Sequence, residues 1–199
     1  MTTLTLLFLP LFILTPQLRF LDHVPSVHDE FSSTYFARAD SLKESDQAPM
    51  FVLRDLKTDS AVFLRDYTGK VLRFGSKNKE HAVVVLSFWS TWCQPCKAEI
   101  PRLTKLAGDL NPKPIRFFLI NTMEDQSTTE DSIRTVYDSR GYSLQCLLDM
   151  TGRVGIRYGA RVLPMLVVID KEGIVRKIMR GFHEDTYAEL AVLLQRLAQ

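Results

Sequence analysis

Cys93 and Cys96, separated by Gln94-Pro95, have the type and spacing of a reversible dithiol/disulfide centre. One thiol attacks a substrate disulfide, and the second must lie close enough to resolve the mixed disulfide that forms. Side chains three residues apart share one face of a helix, so a single turn achieves this. The unpaired amides and dipole at a helix N-terminus favour a thiolate, which makes Cys93 the expected nucleophile and Cys96 the resolving thiol. A CxxC pair is also half of a zinc site, which needs a second Cys or His pair at ligand spacing. None follows: the remaining cysteine is Cys146, and His23, His28, His81 and His183 are scattered.

The pair must be positioned by a strand before it and a helix after it, and the chain supplies both. Val83 to Trp89 is an unbroken apolar run, as expected of a strand buried on both faces. After Cys96, Ile100, Leu103, Leu106, Ala107 and Leu110 recur at helical spacing, and Pro101 is expected to kink that helix. Upstream, Phe51–Leu53 and Ala61–Leu64 read as short strands. The turn Thr68-Gly69-Lys70 leads into Val71–Phe74, which reads as a hairpin partner. Downstream, Ile115–Ile120 is a second buried strand. A helix starts near Thr128, with Asp131 three residues after that cap, and ends at Gly141. Leu147–Asp149 is a short extended piece. Met165–Asp170 and Ile174–Met179 form a hairpin about Lys171-Glu172-Gly173, and a helix from about Asp185 to Leu197 closes the chain. This order implies an α/β sandwich around a central sheet, with an N-terminal hairpin and a C-terminal ββα unit.

At 199 residues the chain holds one domain and an extension. An apolar fraction of 46% and a charged fraction of 24% suit an ordinary globular core. A net charge of +2, with no basic cluster beyond Lys77-Asn78-Lys79, argues against a nucleic-acid partner. The first 18 residues carry no charged side chain, and Leu4–Leu14 is dominated by Leu, Phe and Ile. Such a run suits a secretory leader better than a membrane span of about 20 apolar residues. Residues 1–18 are therefore expected to be a signal peptide or a retained membrane anchor, residues 19–47 a polar linker, and residues 48–199 the folded domain. This organisation places the domain in the cell envelope, outside the cytoplasm.

The segment Phe88-Trp89-Ser90-Thr91-Trp92-Cys93-Gln94-Pro95-Cys96-Lys97-Ala98-Glu99-Ile100-Pro101 resembles the active site of the thioredoxin superfamily. It is most similar to the TlpA/ResA-like envelope thiol-disulfide oxidoreductases. The likeness continues through Leu148–Gly152, Tyr158-Gly159 and Leu163–Asp170, then Gly173 and Gly181, so it spans residues 48–199. The resemblance implies a thioredoxin-like three-layer sandwich with a mixed central sheet. It implies a cis bond between Leu163 and Pro164, with Pro164 beside the dithiol holding the substrate strand. It also implies that Trp92 lies on the surface next to the dithiol, where Gln94, Pro95 and Leu163 join it in meeting the substrate.

Ser87 stands where cytoplasmic thioredoxins carry a buried Asp, a departure that the envelope branch shares. Glu99 matches an acid common in that branch; at helical spacing it shares a face with Cys96 and would serve as a proton relay. Met165 replaces the usual Thr after the proline. Cys146, in an apolar segment, reads as a small buried hydrophobe. The resemblance thus implies an enzyme that exchanges disulfides with protein thiols and works without a metal, flavin or nucleotide cofactor. It would draw electrons from a membrane donor and act as a monomer, more as a reductant, for example in cytochrome c maturation. Two other functions remain open. One is a copper chaperone using Cys93, Cys96 and His183, although copper-delivery relatives space their cysteines three apart. The other is a thiol peroxidase, with Ser90 three residues before Cys93 but no upstream proline.

Overall fold

A computed structural model describes residues 42–183 and 185–199. Its seven strands form one mixed sheet in the order β2-β1-β5-β4-β3-β6-β7. In chain order these are β1 Val52–Asp55, β2 Ala61–Phe63, β3 Val83–Trp89, β4 Ile115–Asn121, β5 Gln145–Leu148, β6 Met165–Ile169 and β7 Val175–Arg180. The helices are α1 Gln94–Asp109, α2 Glu130–Ser139, α3 Arg153–Tyr158 and α4 Thr186–Leu197. β3 pairs parallel with β4 and antiparallel with β6, and all seven of its residues are buried.

Alternation along β3 divides the core in two. Val83 and Val85 face α1 and α4, where they pack with Leu103, Leu106, Leu190 and Leu194. Val84, Leu86 and Phe88 join the opposite layer, with Ile133 of α2 and Tyr158 of α3. Ser87 falls in the first set, a polar residue on the face that carries α1 and α4. This is the expected three-layer sandwich with its hairpin extension and its closing ββα unit.

The structure departs from the sequence reading at several elements. Val71–Phe74 forms no strand. The partner of β1 is β2, in the register Val52↔Phe63 to Arg54↔Ala61. The turn between them is closed by the Asp55 carboxylate, which accepts from the amides of Lys57 and Thr58, and by Asp59 at φ 60°. Arg73 instead folds back onto Asp66 and over the Phe63 ring, leaving Phe74 fully exposed. α2 is capped by Thr129, one residue beyond the expected Thr128, because Thr129 and Ser132 satisfy each other's backbone amides reciprocally. The extended piece near Leu147 is a full inner strand, β5, paired with both β4 and β1. α3 has no counterpart in the sequence reading. In agreement with that reading, Pro101 lies inside α1, and Thr104 Oγ1 donates to the Ile100 carbonyl. A second cis peptide, Asn111–Pro112, accompanies the cis Leu163–Pro164 bond.

The expected leader and most of the expected linker lie outside the described residues. Within the stretch read as linker, the amide of Ser45 donates to Val175, and the amide of Val175 donates to Asp46. Gln47 bridges Ile174, and the Glu44 carboxylate accepts from the Ile178 amide. These contacts lie along the outer edge of β7. No described helix is long and apolar enough to cross a membrane.

Candidate active site

Cys93 is the N-cap of α1, at the C-terminal end of β3, and its Sγ accepts the Cys96 amide at 3.2 Å. Pro95 lies in the first turn, where its missing N–H breaks no helical hydrogen bond. Cys93 and Cys96 are joined as a disulfide, with Cα atoms 5.4 Å apart. Both sulfurs are shielded: Cys93 is 2% exposed and Cys96 not at all. Gln94 and Pro95 are exposed beside them, and Trp92 is half exposed.

β6 runs antiparallel to β3, pairing Phe88 with Met165. The ladder ends there, and buried Pro164 directly precedes β6 at the end of the sheet where β3 passes into the loop that carries Cys93. The Pro164 carbonyl accepts the amide of Gly181, whose φ of 80° lets the chain turn back at that point. Leu163 is buried next to it.

Beneath the dithiol, α1 turns Glu99 into the interior, where it is 2% exposed. Ser87 Oγ donates to Glu99 Oε2 at 2.7 Å, so the two positions singled out in the sequence meet as a buried pair. The Tyr187 hydroxyl, from α4, faces the same carboxylate without closing a hydrogen bond of ordinary geometry, and it has no other partner among the described residues. Burial pushes the Glu99 carboxyl up to about 7, with Ser87 and Tyr187 pulling weakly the other way. Burial also raises the Tyr187 phenol, and the Glu99 charge adds to the effect. Tyr187 therefore stays neutral beside a carboxyl that can hold or release a proton near neutral pH.

The sequence reading missed Glu124. Its Oε1 accepts from the Thr91 amide and from Asn121 Nδ2, both at 2.7 Å, and its Oε2 from Thr91 Oγ1 at 2.8 Å. Beside it Trp92 Nε1 donates to the Met123 carbonyl at 3.0 Å, where the backbone takes a φ of 58°. One carboxylate thus ties the loop before Cys93 to the end of β4. A lone Glu in a polar loop, 33 residues from its partner, carries no pattern that would reveal this. Tyr187, equally unforeseen, reaches Glu99 from 88 positions away.

Cys146 lies in β5, away from the pair, as a buried free thiol. Burial pushes it up to about 12, while the neighbouring Trp89 indole N–H draws it down. Among the described residues no three His, Cys, Asp or Glu side chains converge as metal ligands do.

The AhpC/TSA family model matches residues 45–178. Thiol-disulfide oxidoreductase ResA of Halalkalibacterium halodurans is 30% identical over 151 residues, covering 76% of each chain. Among solved structures, a Chlorobium tepidum protein assigned as thiol:disulfide interchange protein DsbE superposes with a TM-score of 0.62 at 26% identity, covering 77% of this chain and 97% of that one. The pneumococcal exposed lipoprotein thioredoxin Etrx1 of Streptococcus pneumoniae gives a TM-score of 0.59 at 26% identity, covering 73% of this chain and all of the other.

Proposed function

Since the chain belongs to the AhpC/TSA family and is a thiol-disulfide oxidoreductase, we propose that it reduces disulfides of client proteins outside the cytoplasm. The observation that carries this reading is the Cys93–Cys96 pair at the N-terminus of α1, with Glu99 buried one turn beyond it.

In the reduced enzyme the Cys93 thiolate, favoured by the amides at the helix N-terminus, attacks one client sulfur. A mixed disulfide forms and the other client sulfur leaves as a thiolate. Cys96 then gives its proton to Glu99 and attacks Cys93 Sγ, which breaks the mixed disulfide. The proton passes from Glu99 towards the departing sulfur, and solvent protonates the other thiolate. The client gains two electrons and two protons, and the enzyme is left as the disulfide. A dithiol donor, placed by analogy in the membrane, returns the electrons. Pro164, just before β6, keeps an entering strand beside the sulfurs, while Trp92, Gln94 and Pro95 form the surface that the client meets, backed by the buried Leu163.

The leader at residues 1–18, retained or cleaved, would place the domain in the envelope, joined to it by the segment that follows. Cytochrome c precursors, whose haem-attaching cysteines must be reduced, are clients that suit such an enzyme. The test is the reduction potential of the Cys93–Cys96 couple, measured in dithiothreitol and glutathione buffers. A value below about −220 mV supports the reductant. A value above about −180 mV would make the protein an oxidant or isomerase and overturn the proposal.

A further inference from the structure

A groove of about 670 Å³ opens between the β1–β2 hairpin and the loop leading into α3. Its wall is apolar where Val52, Leu53 and Phe63 contribute, and its rim carries four arginines: Arg65, Arg73, Arg153 and Arg157. Arg73 is neutralised by Asp66, and Arg157 donates to the Met50 carbonyl and so keeps its charge. Arg65 and Arg153 are exposed, and their guanidinium groups make no ion pair among the described residues. The one carboxylate in the lining, Asp149, is committed inward to Thr122 Oγ1 and the Gly155 amide. An apolar trough is therefore flanked by two exposed cations, Arg65 and Arg153, that no described carboxylate answers, while Arg157 also feels the buried Asp149 charge.

The groove, beside β1 and β2, opens at the same end of the strands as the dithiol. Trp89 pairs with Asn121, Asn121 with Leu148, and Leu148 with Arg54, so one row of residues crosses from the end of β3 to β1. Three steps of about 4.8 Å take that row about 14 Å from Trp89, four residues before Cys93, to Arg54, the neighbour in β1 of the groove residue Leu53. About four extended residues span that distance.

We propose that this groove docks an acidic segment of the client protein, lying at least about four residues along the chain from the cysteine that Cys93 attacks. A client side chain occupies the apolar trough, and client carboxylates pair with Arg65 and Arg153, whose planar guanidinium groups suit bidentate pairing. An open trough with an apolar wall suits a peptide better than a small free anion, and its concave shape suits a peptide better than a bilayer surface. Charge placed beside the reaction centre acts mainly on the rate of encounter, so it selects clients without altering the sulfur chemistry. The proposal rests on the reading above only in taking Cys93 as the sulfur that meets a protein disulfide.

The test uses the reduced full-length protein and two synthetic disulfide peptides. They differ only in carrying Leu-Glu-Glu-Glu or Leu-Gln-Gln-Gln four residues from the cysteine, and the rate of disulfide reduction is followed by stopped-flow tryptophan fluorescence. The expected result is about tenfold faster reduction of the acidic peptide at low ionic strength, fading as salt rises. In Arg65→Glu/Arg153→Glu the acidic-to-neutral ratio is expected to fall to one or below. Equal rates in the wild type, or a preference that survives the double substitution, would overturn the proposal. Equal peptide rates together with phosphatidylglycerol vesicle binding that the double variant loses would assign the arginines to lipid, and would overturn it too. Failure to reduce either peptide would strike at the dithiol reading itself, an outcome distinct from equal rates.

Discussion

Glu99→Gln separates the charge of the buried carboxyl from its shape. Glutamine resembles the protonated acid and still offers Ser87 an oxygen acceptor. The ordinary value for Glu is 4.5, and in the folded protein burial raises it to about 7. At about 1.4 kcal/mol per pH unit, ionising Glu99 in the fold costs about 3 kcal/mol. The folded form then binds a proton that the unfolded chain has already released between about pH 4.5 and 7, so wild-type stability falls as pH rises through that window. Below the window the contribution is fully present, and above it the loss is complete and constant. Glu99→Gln has no such proton. Relative to wild type it should gain about 3 kcal/mol between pH 4 and pH 8, a large part of the 5–15 kcal/mol that holds a typical domain together. Asp55 and Asp149 are also shifted but titrate in both proteins, so they cancel in the difference. Urea unfolding of the oxidised proteins at half-unit pH steps measures it. If the two stability curves run parallel from pH 4 to 8, Glu99 is not a buried carboxyl with a raised pKa, and the proton relay built on it fails.

Three further outcomes are expected. Cys146 should resist iodoacetamide at pH 8 in the oxidised native protein and react once per chain in urea, since its thiol is buried and pushed up to about 12; labelling of the native protein at the rate of a free thiol would contradict this. Glu124→Ala removes the acceptor of the Thr91 amide and of buried Asn121 Nδ2, and should cost about 1–3 kcal/mol by urea unfolding while shifting the Trp92 emission. An unchanged midpoint and spectrum would show that the loop holds without it. Gly155→Ala should cost about 1–3 kcal/mol, because the new Cβ would lie 2.6 Å from Thr122 Oγ1 and displace its hydrogen bond to Asp149. A change under 0.5 kcal/mol would mean that Thr122 can move aside freely.

The elements legible in the sequence are those whose burial pattern is local. β3 and α1 show as an unbroken apolar run and a helical period, and the CxxC pair lies where they join. What escaped depended on distant partners. Val71–Phe74 has the composition of a strand, yet the helical turn Leu64–Asp66 ends β2, and the pairing of Arg73 with Asp66 folds the segment back instead of along β2. α3 is only six residues long, and Gly152 and Gly159 bound it, with Gly155 inside, so it shows no period. At the site, Ser87 and Glu99 were each noticed, but only the fold shows that alternation along β3 turns Ser87 toward the face where α1 points Glu99. Glu124 and Tyr187 reach the site across 33 and 88 positions, and no spacing rule spans such gaps.

The segment from Glu44 to Gln47 has a consequence for how the molecule keeps apart from its own copies. An outer strand with bare amides and carbonyls invites a strand from another chain. Along β7 the amides of Val175 and Ile178 are already taken, by the Asp46 carbonyl and the Glu44 carboxylate. At the far border of the sheet β2 is only three residues long, too short to template much. A chain shortened to begin at Ala48 would keep every catalytic group and still lose its guard strip, leaving β7 open to stacking with its neighbours in solution.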